Sequence, residues 1–241
     1  MKIEDILFKI RRRETPFYAS VKSLLVKIME FNLPAPKILF RPLYELLVLW
    51  RYLGHYIIEK LIYVPIFKSR CEECGKALSL PNGIPWIEGN LVIRIGDNVV
   101  LDDTILLSGR IYEQPTLEIG DRAFIGCKTT ITVGQSVKIG KDCMIAAQCF
   151  IADNDGHPLN PFRRANKEPV KVEEIKPVVI EDNVWIGTRA VILKGVNIGK
   201  GSILSANSVV TRNIPPYSIV MGNPAKIVMS QIDRIYKKEK E

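Results

Sequence analysis

Histidine is nearly absent from this 241-residue chain, which holds two, His55 and His157. Two imidazoles cannot supply a metal centre that needs three per ion. A second C-x-x-C is also missing. Cys71 and Cys74 in RCEECGK stand alone, and a closed structural zinc site needs four ligands, so a linker turn with two ordinary thiols is expected and no metal. The cysteine count is odd, five, and Cys127, Cys143 and Cys149 fall where small apolar residues are wanted, which fits reduced, packed thiols in a cytoplasmic protein. No secretory leader is evident, because Lys2, Glu4 and Asp5 come first and no apolar run ends in small residues. Nor does any uncharged run approach the roughly 20 residues that a membrane-spanning helix needs. The most apolar stretch, residues 38–67, is broken by Arg41, Glu45, Arg51, His55, Glu59 and Lys60.

What is present is unevenly placed. The net charge is +8, but residues 1–70 carry 13 Lys/Arg against 6 Asp/Glu, a net +7, and the rest of the chain adds +1. Hydrophobic residues make up 47% of the chain, enough to bury a full core. The basic residues are mixed with a broad apolar face rather than set in a polar stripe, so no nucleic-acid partner is expected.

From Ile180 onward an aliphatic residue recurs every six positions: Ile180, Ile186, Ile192, Ile198, Leu204 and Val210. Val133, Ile139, Ile145 and Ile151 keep the same step, as do Ile119, Ile125 and Ile131, and Ile95 with Leu101 marks an earlier start. A helix repeats near 3.6 and a strand at 2, so a period of six fits neither; it fits a solenoid of short parallel strands with one inward aliphatic per flat side. The other positions agree. Glycine follows the aliphatic at 120, 126, 140, 187 and 199, and small or β-branched residues stand four after it at Ala123, Thr129, Cys143, Cys149, Ala190, Ser202 and Ser208. Asn, Asp and Lys cluster at the corners, where a bend favours positive φ.

These hexads, over residues 95 to 228, resemble the hexapeptide-repeat acyltransferases, whose fold is the left-handed parallel β-helix. The stretch 180–226, ending IPPYSIVMGNPAK, is most similar to the sugar O-acetyltransferases of bacterial surface-polysaccharide synthesis. The expected fold is therefore mainly β: a triangular prism over residues 95–224 with a protruding loop at 153–177. It would be preceded by an α-helical segment over 1–70 and a linker over 71–94, and followed by a helix or tail over 225–241. The resemblance implies acetyl-CoA as co-substrate, a homotrimer with active sites between prisms, and a sugar or glycolipid acceptor.

The aliphatic step fails between Asp153 and Pro177. Pro158, Pro161 and Pro169 and the charge-rich VKVEEIK cannot lie flat on a coil, so the segment should project as a loop. It contains His157 in GHP. The family resemblance at this point implies that His157 is the general base, and imidazole, with a reference pKa near 6.5, suits the removal of an alcohol proton. A carboxylate could hold the other ring nitrogen; Asp153 and Asp155 are the nearest candidates, Glu173 and Glu174 the more distant ones. By the same resemblance Thr188 in VWIGT, Ala206 in LSANSVV, and Thr211 and Arg212 in VVTRNIPP fall at coenzyme A-contacting positions, and Lys226 in GNPAK meets the nucleotide end. Trp185 is expected at the groove wall, or else as a core or interface aromatic. The Gly187–Thr188 corner is expected near the thioester. The galactoside-type enzymes carry an acceptor-contacting Asn about thirty residues before their histidine; FIGCKTT here has none, so the acceptor should differ.

Residues 1–67 carry a wide apolar face, Trp and Tyr residues and most of the positive charge. This is compatible with adsorption to the anionic inner face of the cytoplasmic membrane, and equally with a helical cap on the open end of the prism or with trimer packing, roles that can coexist. Three other functions were weighed: N-acetylation of an amino nucleotide sugar, a non-catalytic β-helical scaffold, and a zinc-dependent γ-type carbonic anhydrase. The last shares the β-helix but needs three histidine ligands per zinc.

Overall fold

The structure, a computed structural model, describes residues 3–109 and 113–234. It divides into a helical unit ending at Tyr52 and a larger unit beginning at Leu53. In the first lie α1 (Ile3–Arg12), α2 (Pro16–Glu30) and most of α3 (Lys37–Ile58). Thr15 caps α2, its hydroxyl accepting from the Tyr18 N–H at 3.4 Å, and Pro16 occupies the first turn, where its missing N–H costs nothing.

The larger unit opens with a π-turn (Glu59–Tyr63) and α4 (Val64–Arg70). Phe67 on α4 is fully buried in the same core as Leu78, Leu80 and Val99, so this short helix closes the N-terminal end of the β-structure. Glu59 fixes the closure. Its Oε1 accepts from Lys60 Nζ at 2.9 Å, Ser79 Oγ at 3.0 Å and the Leu80 N–H at 3.0 Å.

Beyond Arg70 the chain winds into a parallel β-solenoid of about seven turns, the three-sided architecture of a left-handed β-helix. The first face stacks Glu73–Cys74, Val92–Ile95, Thr116–Ile119, Ser136–Ile139, Val178–Ile180 and Asn197–Ile198. The second stacks Val100–Leu101, Phe124–Ile125, Met144–Ile145, Trp185–Ile186, Ile203–Leu204 and Ile219–Met221, with Lys226–Met229 added antiparallel at its end. On the third lie Trp86–Glu88, Ile105–Ser108, Thr130–Val133, Phe150–Ala152, Val191–Ile192 and Val209–Val210. The hexad aliphatics stack in register inside: Ile119 on Ile139 on Ile180 on Ile198 along the first face, and Ile131 on Ile151 on Ile192 on Val210 along the third. Each is essentially inaccessible to water, and removing one to alanine would cost about 2–5 kcal/mol.

The solenoid starts earlier than the hexads suggest. Residues 71–94, expected as a linker, supply rungs to the first and third faces, because Glu73–Cys74 pairs with Arg94–Ile95 and Trp86–Glu88 with Ile105–Leu107. At the other end Lys226–Met229 is a strand, where a helix or tail was expected. Residues 235–241 lie outside the described residues.

Corners follow the expected chemistry. Asn98, Asp103, Lys128, Asp142, Asn183 and Asn207 all take φ between +44° and +58°. Arg122, Gln148, Arg189 and Tyr217 adopt the same conformation, so register rather than side-chain preference places the bend. Gly187 is required for a different reason: a Cβ there would sit 2.5 Å from the Ala206 nitrogen of the next coil.

Candidate active site

Each coil has three corners, and the chain leaves the prism at the one joining the third face to the first. Because Ile151 pairs with Ile192, Asp153 and Lys194, two positions further on in each strand, lie on the same edge of adjacent coils. The loop starts and ends there. Its neck is closed by the Lys176 N–H donating to Asp153 O at 2.9 Å, and Gly195 N–H donates to Lys176 O at 2.9 Å from the coil below.

Asp153 is fully buried. Its carboxylate accepts from the Gly134, Gln135 and Ser136 N–H groups at 2.6, 2.7 and 2.8 Å and from Asn154 Nδ2 at 2.8 Å. All its acceptor directions are used in holding the corner above, so it is a structural anchor rather than the expected partner of His157. Asp155 pairs instead with the Lys194 ammonium, which also donates to Glu174 O at 2.9 Å. Lys194 therefore ties the segment just before the histidine to the far end of the loop. Glu174, the more distant candidate, accepts from the Lys171 N–H at 2.8 Å and pairs with Arg163 at 3.2 Å; that backbone bond, opposed by partial desolvation and aided by Arg163, holds its carboxyl below the usual range. Arg163 also bonds Glu168 and Pro169 O, and Arg164 bonds Pro158 O, so the loop interior is densely braced.

His157 follows Gly156, whose φ of +74° turns the chain outward and whose N–H is held by Asn154 Oδ1 at 2.9 Å. The imidazole is exposed and makes no hydrogen bond among the described residues. A braced loop thus presents one unpartnered base. Lys194 carried no signal as a residue type, but coil arithmetic placing it beneath Asp153 could have found it.

The expected coenzyme A contacts fall on two edges. Thr188 and Ala206 stack at the corner between the second and third faces, since Ile186 pairs with Leu204. Gly187 N–H there donates to Leu204 O at 2.8 Å and Arg189 N–H to Ala147 O at 3.0 Å. The Thr188 and Ala206 N–H groups, one coil apart, have no acceptor among the described residues. Thr211 and Arg212 stand instead on the loop's own edge, one coil beyond Lys194, and both are exposed. Trp185 is half-exposed in the middle of the second face, flanked by Met144 and Ile203, so it is not a core aromatic. Lys226 begins the last strand beside Met221. The third face separates the two edges, so one chain does not gather these residues into a single pocket.

The faces also differ outside. The first carries a charge ladder in which Glu118 lies between Arg94 and Lys138, each 3.4 Å away. On the second, Phe124, Met144 and Trp185 are exposed in register, and on the third Trp86 and Phe150 are exposed. Burial pushes the Cys71 thiol up to about 12, with Cys74 beside it, and Cys143 to about 11. No group of three or more potential metal ligands occurs among the described residues.

A three-sided parallel solenoid of hexads, opened between its two hexad blocks by a histidine-bearing loop, has the architecture of a left-handed β-helix. The family described as the hexapeptide repeat of succinyl-transferase matches residues 117–152 and 177–212, and the gap between the two matches is the loop. A Staphylococcus aureus protein carrying the name acetyltransferase is 40% identical, the match covering 39% of this chain and 55% of that one. A Saccharomyces cerevisiae protein so named is 41% identical over 46% of this chain and 54% of its own. The chain spans about half the length of the curated relatives it matches. Among solved structures, an N-acyltransferase of Bacillus cereus in complex with dTDP-4-amino-4,6-dideoxyglucose and coenzyme A aligns with a TM-score of 0.56 at 22% identity, covering 73% of this chain and 93% of that one. A galactoside acetyltransferase in complex with coenzyme A aligns with a TM-score of 0.51 at 24% identity, over 72% of each chain. Both likenesses are of fold. Over residues 117–152 and 177–212 the chain is similar to hexapeptide-repeat acyltransferases.

Proposed function

We propose that this protein is an acetyl-CoA-dependent O-acetyltransferase acting on a sugar hydroxyl of a surface-polysaccharide precursor at the inner face of the cytoplasmic membrane, with His157 as general base. The observation that supports this reading is the long interruption between the two hexad blocks: a braced loop that presents an exposed imidazole with no hydrogen-bond partner among the described residues. In the reaction, His157 takes the proton of the acceptor hydroxyl as its oxygen attacks the thioester carbonyl. The tetrahedral oxyanion needs hydrogen-bond donors, and the unpaired Thr188 and Ala206 amides are of the right kind. Collapse breaks the C–S bond, and the thiolate of coenzyme A recovers the proton from the imidazolium. Arg212 and Lys226 are free to neutralise phosphates, and Trp185 and Thr211 to line the groove.

The separation of the edges supports a homotrimer in which the loop edge of one copy lies against the Thr188 edge of the next. Among the described residues no carboxylate steadies His157, so its second ring nitrogen is left to the acceptor, to water or to a neighbouring copy. The test is thiol release from acetyl-CoA across a panel of sugars, lipid-linked sugars and amino nucleotide sugars. A hydroxyl acceptor should be turned over, and His157→Ala should lower kcat by about 10²–10⁴-fold. Turnover of the amino sugar alone would establish N-acetylation instead, and near-normal turnover by His157→Ala would end the assignment of the base.

A further inference from the structure

We propose that helices α1 to α3 form a cationic, apolar surface that adsorbs to an anionic lipid bilayer without crossing it. None of the three helices buries a single residue. Ile38 is 93% exposed and Trp50 73%, and Phe17, Met29, Phe31, Leu33 and Tyr52 are similarly bare. The exposure follows a pattern. In α1, Ile3, Ile6, Leu7 and Ile10 occur at the i, i+3, i+4, i+7 positions of one helix face. In α3, Leu43, Leu46, Leu47 and Trp50 repeat that spacing, with Arg41, Glu45 and Arg51 off the stripe. Soluble helices with such stripes bury them; in α1 Ile6 and Ile10 are only partly covered, and in α3 Leu43, Leu46, Leu47 and Trp50 stay exposed.

Charge identifies the occupant. Residues 1–52 hold ten Lys/Arg and five Asp/Glu, a net +5, and Lys9, Arg11, Arg12 and Arg13 gather at the end of α1. A second copy of the same face would bring like charges together, whereas an anionic leaflet attracts them while its acyl boundary accepts the apolar stripe. Tyr44, Trp50 and Tyr52 on α3 are the aromatic types that favour the headgroup level. Among the described residues no helix is long and apolar enough to cross a membrane, and the proposed contact lies in the plane of the interface. The catalytic unit, joined through the rest of α3, would then meet its acceptor at the bilayer surface.

The experiment is cosedimentation of the full-length protein with vesicles of phosphatidylcholine, alone or with roughly one-third phosphatidylglycerol. The protein should bind the anionic vesicles, ignore the neutral ones at equal lipid, and dissociate as salt rises. Each basic residue near the surface contributes roughly a fivefold factor, so Arg11→Gln/Arg12→Gln/Arg13→Gln should weaken binding about a hundredfold. Leu46→Gln/Leu47→Gln should weaken it at all salt concentrations, and both variants should keep acetyl transfer to a soluble acceptor. Failure to bind anionic vesicles would overturn the proposal. So would equal binding to neutral vesicles, or a change of oligomeric mass in the leucine variant, which would assign the stripe to contacts between copies.

Discussion

Lys194→Met removes the clamp on the histidine loop while leaving His157 itself untouched. In the folded chain the Lys194 ammonium makes two bonds, to the Asp155 carboxylate and to Glu174 O at 2.9 Å, and its side chain is 21% exposed. A hydrogen bond to a charged group contributes about 1.5–3 kcal/mol, and partial solvation of Asp155, 32% exposed, places the net loss near the low end, about 2 kcal/mol. That corresponds to roughly a thirtyfold shift in favour of loop conformations in which the imidazole is misplaced. The neck remains closed by Lys176 and Gly195, so the loop loosens without unfolding. The expected outcome is a fall in kcat of about tenfold to thirtyfold, because misplacement by an ångström is enough for such losses.

The KM for acetyl-CoA should change less than kcat, because both Lys194 bonds go to the loop, Thr188 and Ala206 stand on another edge, and Arg212, one coil away, is not bonded to Lys194. Steady-state thiol release at varied acetyl-CoA separates the two constants, and Lys194→Arg should restore much of kcat by keeping a cation on Asp155. Equal losses in kcat and thermal stability with no rescue by arginine would assign Lys194 a purely structural role. A Lys194→Met enzyme with kcat within about twofold of wild type, alongside an inactive His157→Ala, would refute the clamp and leave the base assignment standing.

Two further outcomes follow from buried carboxylates. Asp153→Ala would leave the buried Gly134 N–H and the part-buried Gln135 and Ser136 N–H groups without their acceptor, so urea unfolding should report a loss of about 3–5 kcal/mol, far more than at partly exposed Asp142; a loss below about 1 kcal/mol would contradict the anchor role. At Glu59 burial raises the carboxyl pKa, but the Lys60 ammonium, the Leu80 N–H and the Ser79 hydroxyl outweigh it, and the folded value lies below the ordinary 4.5. The unfolded chain therefore binds the proton more readily, and the contribution of Glu59, full above about pH 4.5, is lost as pH falls through the folded value. Wild type should lose stability more steeply than Glu59→Gln in that acid range, and parallel pH profiles would count against it.

The solenoid was legible because its signal is redundant. From Ile119 to Val210 the inward positions carry Ile, Leu or Val at a step of six within each block, shifted by two residues at Gly134–Gln135 and again by the loop, and the corners repeat their turn chemistry. The first coils were harder to read: Glu73–Cys74 and Trp86–Glu88 pair with later rungs by backbone alone, without a clean hexad. The loop was legible as an interruption, but its bracing was not. Asp153 reads in sequence as a neighbour of His157, yet its carboxylate points back into the prism, because the corner at Gly134–Ser136 offers three amides with no other acceptor. Lys194 is forty-one positions from Asp153 in sequence and one coil away in space. Contacts of this kind depend on the winding register, which the hexads contain only once the loop has been excised from the count.

The same register bears on why the proposed chemistry needs more than one chain. Thioester transfer to a hydroxyl must exclude water from the attacking base, and a flat-sided prism with an exposed imidazole on one edge cannot do so alone. The donors suited to the oxyanion lie on a different edge of the same chain, across the third face. Flat faces solve this by stacking against one another, and the outward residues differ in their fitness for it. The first face carries the Arg94–Glu118–Lys138 ladder, which remains solvated at little cost, whereas the second and third expose Phe124, Met144, Trp185, Trp86 and Phe150. Packing those two faces between copies would cover the aromatic ladders and carry each loop edge toward a neighbour's Thr188 corner. Burial of apolar surface and completion of the site would then be one event, so Met144→Lys, remote from both edges, should lower assembly and activity together.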